Sequence, residues 1–222
     1  MNVKWLIQEY NTDSFISSLK KEIMSQGMTY KKCTYTPFKK FASKDYNHFH
    51  DTECVIFYGT LNLARQIQKK QWVPGVYCNF NNFKCSVYYS YLGKHILNSD
   101  YIMLPLMEII RRKIFLFNSY GVDNCIFMRS NSGSKTFTGG IFKKEKLEKE
   151  YDLLSRYAGK SLEDIICIIS SPKKIKSEYR FVIINNKVIT GSLYKKNNKL
   201  YESNDIDKKA WEKASEIAEE EW

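Results

Sequence analysis

The sequence lacks the short motifs that most often reveal a phosphate-binding protein. A P-loop needs Gly, four residues and then Gly-Lys-Ser/Thr, and a dinucleotide-binding turn needs Gly-x-Gly-x-x-Gly; neither pattern is present. The six cysteines form no Cys-x-x-Cys pair, and no apolar run is long enough to cross a membrane. We find no signal peptide, internal repeat or low-complexity linker. These absences favour a cytosolic protein with reduced, buried cysteines and without a membrane partner.

Histidine is also scarce, with three in 222 residues. His48 and His50 stand two apart in a loop-like stretch, but no cysteine or third histidine lies nearby in sequence to complete a metal site. We expect His95 to pack on a helix. The sequence therefore predicts no metal site built from these residues.

The chain is strongly basic, with 35 Lys and Arg against 24 Asp and Glu and a net charge of +11. Such a balance favours an anionic partner, which could be a nucleotide, a nucleic acid or an acidic protein. An equally open alternative is that the abundance of Lys, Asn, Ile and Tyr reflects the composition of the source genome. The hydrophobic content of 43% is enough to fill a core, which excludes a disordered chain.

The first half alternates strand and helix signals. Short apolar runs predict strands at 4–8, 30–35, 54–58 and 73–78. Helices are expected to begin at Asp13 and at Gly59-Thr60-Leu61-Asn62, each just after a strand. This alternation predicts a parallel, Rossmann-like sheet over roughly the first hundred residues.

The most informative segment, 126–140, is an apolar strand that runs into Arg129 and then into a loop of Ser, Thr and Gly. The loop carries Lys135 and ends in Gly139-Gly140. Small residues expose backbone N–H groups and allow close approach of the main chain, and Arg and Lys supply the charge that an oligophosphate needs. The segment therefore predicts a phosphate site of a type different from the two familiar cradles.

Helical and strand signals continue on both sides of this loop. Before it, the spacing of apolar residues from Met103 to Phe117 predicts one helix that ends at Gly121. The elements predicted after it are a helix around Leu147, a strand at 164–170, strands at 179–184 and 188–194 joined by Asn185-Asn186, and a helix at 207–222.

Taken in order, these elements resemble the ATP-grasp superfamily. The shared pattern is a lysine on a helix, a strand ending in a basic residue, a Ser/Gly loop, a covering helix, a hinge strand and a hairpin opening with Glu-Tyr-Arg. Here it is carried by Lys113, Arg129, the loop 132–140, the helix around Leu147, the strand 166–170 and Glu178-Tyr179-Arg180. Details at 59–64, 73–77 and 129–139 look like the phage and bacterial clade named for two arginines and a lysine.

The resemblance implies an α/β (α+β) fold, with a Rossmann-like domain at 1–100 followed by an ATP-grasp lid and incomplete core at 101–222. It implies an ATP-dependent carboxylate–amine ligase that forms an amide through an acyl phosphate, with ATP as cofactor, magnesium if the enzyme is active, and a peptide or small-molecule carboxylate as substrate. If the chain is phage-encoded, the host cytoplasm would be its location. The alternative is a non-catalytic protein that uses the same scaffold to bind a nucleotide, a nucleic acid or a host protein.

The resemblance also implies residue roles. Arg129, standing where most of the superfamily has lysine, would hold the α- and β-phosphates; Lys135 would point at the phosphates; and Arg180 would reach the γ-phosphate or the acyl phosphate. The wider nucleotide-binding set adds loop, helix and hinge positions, namely Lys113, Ser132, Gly133, Ser134, Thr138, Gly139, Ile169, Ser170 and Glu178.

Other roles stay open. Gly59, Thr60 and Asn62, at a strand end and helix start, suit an acidic group of the substrate. Arg129 could instead merely cap a strand end, and Lys113 could be an ordinary solvated lysine.

The resemblance breaks at the C-terminal end. ATP-grasp ligases continue with two strands that bring an Asp and a Glu-x-Asn set to the magnesium ions, whereas this sequence stops at Trp222. The glutamates 219–221 are consecutive, so at helical spacing they point in different directions and do not replace those ligands. We therefore expect metal ligands to be absent, to come from a partner, or to lie in a longer parent chain. Trp211 and Trp222 on one helix face suit a partner protein or self-association.

Overall fold

The computed structural model describes residues 2–9, 14–34, 47–76, 78–133, 136–157 and 165–220. The chain forms two compact units, Met1–Asn79 and Phe80–Trp222. Each unit has its own buried apolar clusters. Within the described residues, no helix is long and apolar enough to cross a membrane.

The first unit is built on a three-stranded parallel sheet. Its strands are β1 (Lys4–Glu9), β2 (Thr29–Thr34) and β3 (Val55–Tyr58), in the order β2-β1-β3, and its helices are α1 (Ser14–Ser25) and α2 (Leu61–Ile67). Successive side chains of a strand point to opposite faces, so Leu6 packs with Val55 and Leu63 while Ile7 packs with Ile16 and Ile23. The predicted parallel sheet of alternating strands and helices is confirmed.

The predicted strand at 73–78 is wrong for the described part of that segment, which excludes Tyr77. Only an isolated parallel bridge joins Ile56 to Gly75, through Gly75 N donating to Val55 O at 2.7 Å and Phe57 N donating to Gly75 O at 3.2 Å. Pro74 has no N–H for a ladder, and Gly75 has φ 61°, which turns the chain out of the extended conformation.

The second unit begins with an antiparallel sheet of four strands. These are β4 (Tyr101–Pro105), β5 (Cys125–Ser130), β6 (Gly140–Lys143) and β7 (Ile166–Ser170), in the order β4-β7-β5-β6. One face packs against α3 (Cys85–Leu92), where Tyr89 contacts Ile168. The other face forms the main core with α4 (Glu108–Arg111), α5 (Lys113–Tyr120) and α6 (Leu147–Tyr157).

The single helix predicted through Met103 and Phe117 is wrong. Residues 101–105 form β4, in which Met103 pairs with Ile168, and the helical part is divided into α4 and α5 at Arg112. The apolar spacing fits a helix by coincidence. Pro105 disfavours helical backbone at the preceding residue, and pairing with β7 supplies the hydrogen bonds that a helix would have made.

A second antiparallel sheet completes this unit. Its strands are β8 (Ser177–Ile184), β9 (Lys187–Lys196) and β10 (Lys199–Ser203), in the order β10-β9-β8, and α7 (Lys208–Ala218) packs on it through Trp211 and Phe181, whose ring centroids are 5.8 Å apart. The predicted hairpin turn at Asn185-Asn186 is confirmed by φ values of 50° and 60°. A second such turn at Asn197-Asn198, and with it β10, was not predicted.

Candidate active site

Residues of both antiparallel sheets line a cavity of about 780 Å³ in the second unit. Four of its lining side chains are apolar: Leu97, Phe127, Ile141 and Ile175. Four are basic: Arg129, Lys173, Lys174 and Lys195. Glu178 is the one carboxylate among the described lining residues. Apolar walls together with four cations against one anion suit a ligand that has a flat apolar body and an anionic tail.

Strand β5 delivers Arg129 to this cavity. The strand alternates between buried and half-buried positions, so Ile126 and Met128 enter the core while Phe127 and Arg129 face the other way and line the cavity. Burial raises the pKa of Tyr88 and of Tyr89 on α3, and the positive charge of Arg129 acts against that rise. The guanidinium therefore lies near both phenols on the cavity side of the sheet.

Both ends of the Ser/Gly loop are held where only glycine fits. A Cβ atom at Gly139 would lie 2.9 Å from the Cβ of Arg129, and one at Gly133 would lie 2.1 Å from the Cβ of Phe83. Real Cβ atoms do not approach so closely, so glycine is what allows the loop to touch β5 at one end and Phe83 at the other. Ser134 and Lys135 lie outside the described residues, so the role of Lys135 stays a prediction.

Asn131 fastens the start of the loop to helix α3. Its Oδ1 accepts a hydrogen bond from Ser86 N at 2.7 Å, and its Nδ2 donates to Ser86 Oγ at 3.1 Å. Its backbone oxygen accepts from Cys85 N at 3.0 Å, and its backbone N–H donates to Ile166 O at 2.8 Å. Sequence reasoning missed Asn131, because its pairing with a helix N-terminus 45 residues earlier is visible only in three dimensions.

Glu178 and Arg180 are joined through Tyr194 of β9. The Tyr194 hydroxyl donates to Glu178 Oε2 at 2.6 Å, Lys195 Nζ lies 3.0 Å from Glu178 Oε1, and the Arg180 guanidinium lies 4.4 Å from the Tyr194 ring centroid. The hydrogen bond from Tyr194, followed by that from Lys195, lowers the pKa of Glu178, and the bond to Glu178 raises the pKa of Tyr194. Glu178 is thus held ionised, and the ring that it orients supports Arg180.

Several predicted nucleotide-binding residues lie elsewhere in the second unit. Lys113, at the start of α5, forms an ion pair with Glu148 of α6 at 2.6 Å and is not among the lining residues of the cavity. Ile169 is buried in the core on one face of β7, and Ser170 is buried on the opposite face, beside Phe127 in register. The segment after β7, rather than β7 itself, reaches the cavity through Lys173, Lys174 and Ile175. Ser132 is half-buried and Thr138 is exposed in the loop.

The residues predicted to bind substrate lie in the first unit. Thr60 is the N-cap of α2, its Oγ1 accepting from Leu63 N at 3.4 Å. Gln8 Oε1 accepts from both Thr60 N and Thr60 Oγ1 at 2.8 Å, which fixes the end of β3 beside the end of β1. Gly59 passes so close to Gln8 that a Cβ atom would lie 2.7 Å from the Gln8 Cβ, and Asn62 is exposed. Their role in substrate binding stays a prediction.

The described residues do not fit a resident magnesium ion. No group of three or more His, Cys, Asp or Glu side chains comes together in the described ranges. The carboxylate in the cavity, Glu178, is already engaged by Tyr194 and Lys195. Magnesium sites in proteins rely on carboxylate oxygens together with phosphate and water, so the steps proposed below use only the protein's own side chains.

Known proteins with solved structures share this fold. D-cycloserine synthetase DcsG is similar with a TM-score of 0.61 at 10% identity, over 98% of this chain and 80% of that one. D-alanyl-alanine synthetase A from Vibrio cholerae gives 0.56 at 10% identity, over 98% and 79%. A RimK domain ATP-grasp protein from Sphaerobacter thermophilus gives 0.55 at 8% identity, over 88% and 73%. A comparison with curated protein sequences gives no match.

The sequence itself carries the family signature. Residues 108–221, just over half of the chain, match the ATP-grasp domain of the second family in the clade named for two arginines and a lysine. This range contains β5, the Ser/Gly loop, β7 and the β8–β9 hairpin, which are the elements that build the cavity. The resemblance noted in the sequence is confirmed, and the chain belongs to this ATP-grasp family.

Proposed function

We propose that this protein is an ATP-dependent ligase that joins a carboxylate to an amine through an acyl phosphate. The observation that carries the proposal is the cavity lined by both antiparallel sheets, in which four basic side chains face one carboxylate that is already paired. A triphosphate needs this excess of positive charge, and the apolar walls suit a nucleotide base. Membership of the ATP-grasp family points to ATP as that nucleotide.

The chemistry would proceed in two balanced steps. An oxygen of the substrate carboxylate attacks the γ-phosphorus of ATP, the bond to the β,γ-bridging oxygen breaks, and ADP leaves with that electron pair. The amine then attacks the acyl carbon, inorganic phosphate leaves, and the amine loses a proton. Negative charge builds up on the phosphate oxygens during transfer, so fixed cations lower the barrier most when they are already in place.

Three side chains would do this work. Arg129, half-buried on β5, would neutralise the α- and β-phosphates, and Lys135 would close over the phosphates from the loop. Arg180, supported at 4.4 Å by the Tyr194 ring, would stabilise the transferring phosphoryl group. The glycine contacts at Gly133 and Gly139 hold the loop ends close to the cavity, which favours exclusion of water from the acyl phosphate.

The substrate would be a peptide or small-molecule carboxylate, with its acidic group bound by Gly59, Thr60 and Asn62 of the first unit. We propose the cytoplasm as the location, the host cytoplasm if the chain is phage-encoded, since the described cysteines are free thiols. Magnesium would have to be held by ATP phosphates and by ligands outside the described residues.

Trapping of the intermediate tests this proposal. Hydroxylamine converts an acyl phosphate into a stable hydroxamate, so the chain is incubated with ATP, magnesium, hydroxylamine and pools of amino acids and dipeptides. We expect carboxylate-dependent hydroxamate in the wild type, a loss of about 100-fold or more in Arg180→Ala, and none of that loss in Arg111→Ala, which removes an exposed arginine paired with Glu108. Hydroxamate formation unchanged in Arg180→Ala would contradict the role of Arg180, and ATP binding without any hydroxamate would contradict ligase activity.

A further inference from the structure

Asn98 places an unpaired amide oxygen in the wall of the nucleotide cavity. The residue lines the cavity between Leu97 and the start of β4. Its Oδ1 atom is buried and, among the described residues, accepts no hydrogen bond. A buried carbonyl oxygen without a donor is destabilising by about 1–3 kcal/mol. A bound ligand that donates a hydrogen bond there would remove this penalty.

The segment that carries Asn98 is fixed to the loop after β7. Asp100, two residues further on, forms an ion pair with Lys173 at 3.1 Å and also accepts a hydrogen bond from the Ser171 side chain. Immediately afterwards β4 pairs with β7 along its whole length. Because Lys173 also lines the cavity, Asn98 is held in a defined position before any ligand arrives, and little ordering entropy remains to be lost on binding.

The surroundings of Asn98 suit a planar heterocycle rather than a phosphate. Leu97, Phe127, Ile141 and Ile175 contribute apolar surface to the same cavity. Ser170, which is in register with Phe127 on the same face of the sheet, has a buried Oγ that also lacks a partner among the described residues. Apolar walls with a few polar groups that lack internal partners are typical of a site that recognises a flat molecule by its edge.

We propose that Asn98 reads the base of the nucleotide, its amide accepting a hydrogen bond from the N6 amino group of adenine and donating one to N7. A carboxamide offers one acceptor and one donor side by side, which match this edge of adenine in a bidentate pair. Guanine and hypoxanthine carry O6 in place of the amino group, so the same edge presents two acceptors that a single amide cannot satisfy together. Asn98 is thus the residue that selects ATP over GTP and ITP; this inference rests on the proposed nucleotide site.

The test compares nucleotides that differ only at this edge. Isothermal titration of ATP, ITP, GTP and 7-deaza-ATP is carried out on the full 222-residue chain, on Asn98→Ala, and on Asn118→Ala, which removes an exposed asparagine of α5. A bidentate pair predicts that Asn98→Ala weakens ATP binding by about 5- to 100-fold. ITP affinity should stay nearly constant, so the ATP preference of the wild type disappears, whereas Asn118→Ala keeps it.

Asn98→Asp separates the two hydrogen bonds and covers the case in which the alanine variant does not fold. The carboxylate keeps an acceptor for N6 but loses the donor for N7, so this variant should bind ATP and 7-deaza-ATP equally while the wild type prefers ATP. An unchanged ratio of ATP to ITP affinity in Asn98→Ala, or an unchanged preference for ATP over 7-deaza-ATP in Asn98→Asp, would overturn the inference alone. A wild type that binds none of the four nucleotides would overturn the proposed function as well.

Discussion

A methyl group at position 139 would meet the Cβ atom of Arg129 at 2.9 Å, whereas one at position 140 would meet nothing closer than the Phe142 ring at 3.9 Å. Gly139→Ala should therefore push the arginine away from the cavity, since overpacking forces neighbours to move at a typical loss of about 1–3 kcal/mol. We expect ATP affinity, measured by titration calorimetry, to fall about tenfold, which corresponds to about 1.4 kcal/mol.

Gly140→Ala is the matched control for this substitution. It adds the same methyl group one residue away, at ordinary contact distance, and should leave ATP affinity within about twofold. Equal affinities of the two variants would show that the close approach of residue 139 to β5 does not position Arg129.

Tyr194→Phe removes the hydrogen bond to Glu178 and keeps the ring beneath Arg180. Because that bond is the main cause of the lowered pKa of Glu178, the pKa should rise toward its ordinary value. A lowered pKa stabilises the fold above the unfolded-state value of about 4.3, and the stabilisation is lost as the pH falls through the folded-state pKa. The variant should thus be less stable at pH 7 by about 1 kcal/mol, after allowance for solvent screening.

The same difference should shrink as the pH falls from about 5 to about 3, because Glu178 becomes protonated in both proteins. Urea unfolding at several pH values measures the stability, and an NMR titration of the Glu178 carboxyl carbon measures the pKa. A carboxyl that titrates at the same pH in both proteins would show that Tyr194 does not hold Glu178 ionised.

At this scale the sequence predicts some site residues well and misses others. Arg129 and Gly139 could be placed in the cavity because strand alternation and loop composition are local signals. Asn98 and Tyr194 could not, because their positions depend on the pairing of β4 with β7 and on a register shift between β8 and β9. Lys113 fits the family pattern, but its ion pair with Glu148 depends on the packing of α5 near α6.

Among the elements, the junction between the Ser/Gly loop and α3 is the one that Asn131 controls. Its side chain satisfies the N–H of Ser86, one of the otherwise unpaired donors of the first helical turn. Asn131→Ala should destabilise the protein by about 1–2 kcal/mol, as loss of a capping side chain does. Chemical denaturation measures this change.

Asn131→Asp is the informative companion, since it keeps the acceptor for Ser86 N and loses only the donor to Ser86 Oγ. It should recover most of the stability lost in Asn131→Ala. If the two variants were equally destabilised, the bond to Ser86 N would not be the contact that matters.

The elements also show where sequence patterns stop being sufficient. The β8–β9 hairpin was predictable because Asn185-Asn186 supplies the positive φ angles that a two-residue turn requires. Strand β4 was taken for a helix because Met103 and Met107 happen to fall at helical spacing, and only pairing with β7 decides the outcome. The strand expected at 73–78 gave way to a turn at Gly75.

For the whole molecule, the excess of 11 positive charges leaves nucleic-acid binding as the alternative to ligase activity. If the charge serves the nucleotide cavity and solubility, retention on immobilised DNA should decline with salt as it does for an unrelated protein of similar charge. Elution from a DNA column over a salt gradient measures this. Retention well above that of the comparison protein would favour the non-catalytic alternative.

The central claim is that the cavity of the second unit binds ATP through Arg129. The most direct measurement is isothermal titration of ATP into the 222-residue chain, Arg129→Ala and Arg111→Ala, with magnesium and again with EDTA. We predict saturable binding by the wild type and by Arg111→Ala, and binding at least about tenfold weaker in Arg129→Ala, since a charge-assisted contact to phosphate is lost. Binding by Arg129→Ala as tight as that of the wild type, or no ATP binding by the wild type under either condition, would contradict the account.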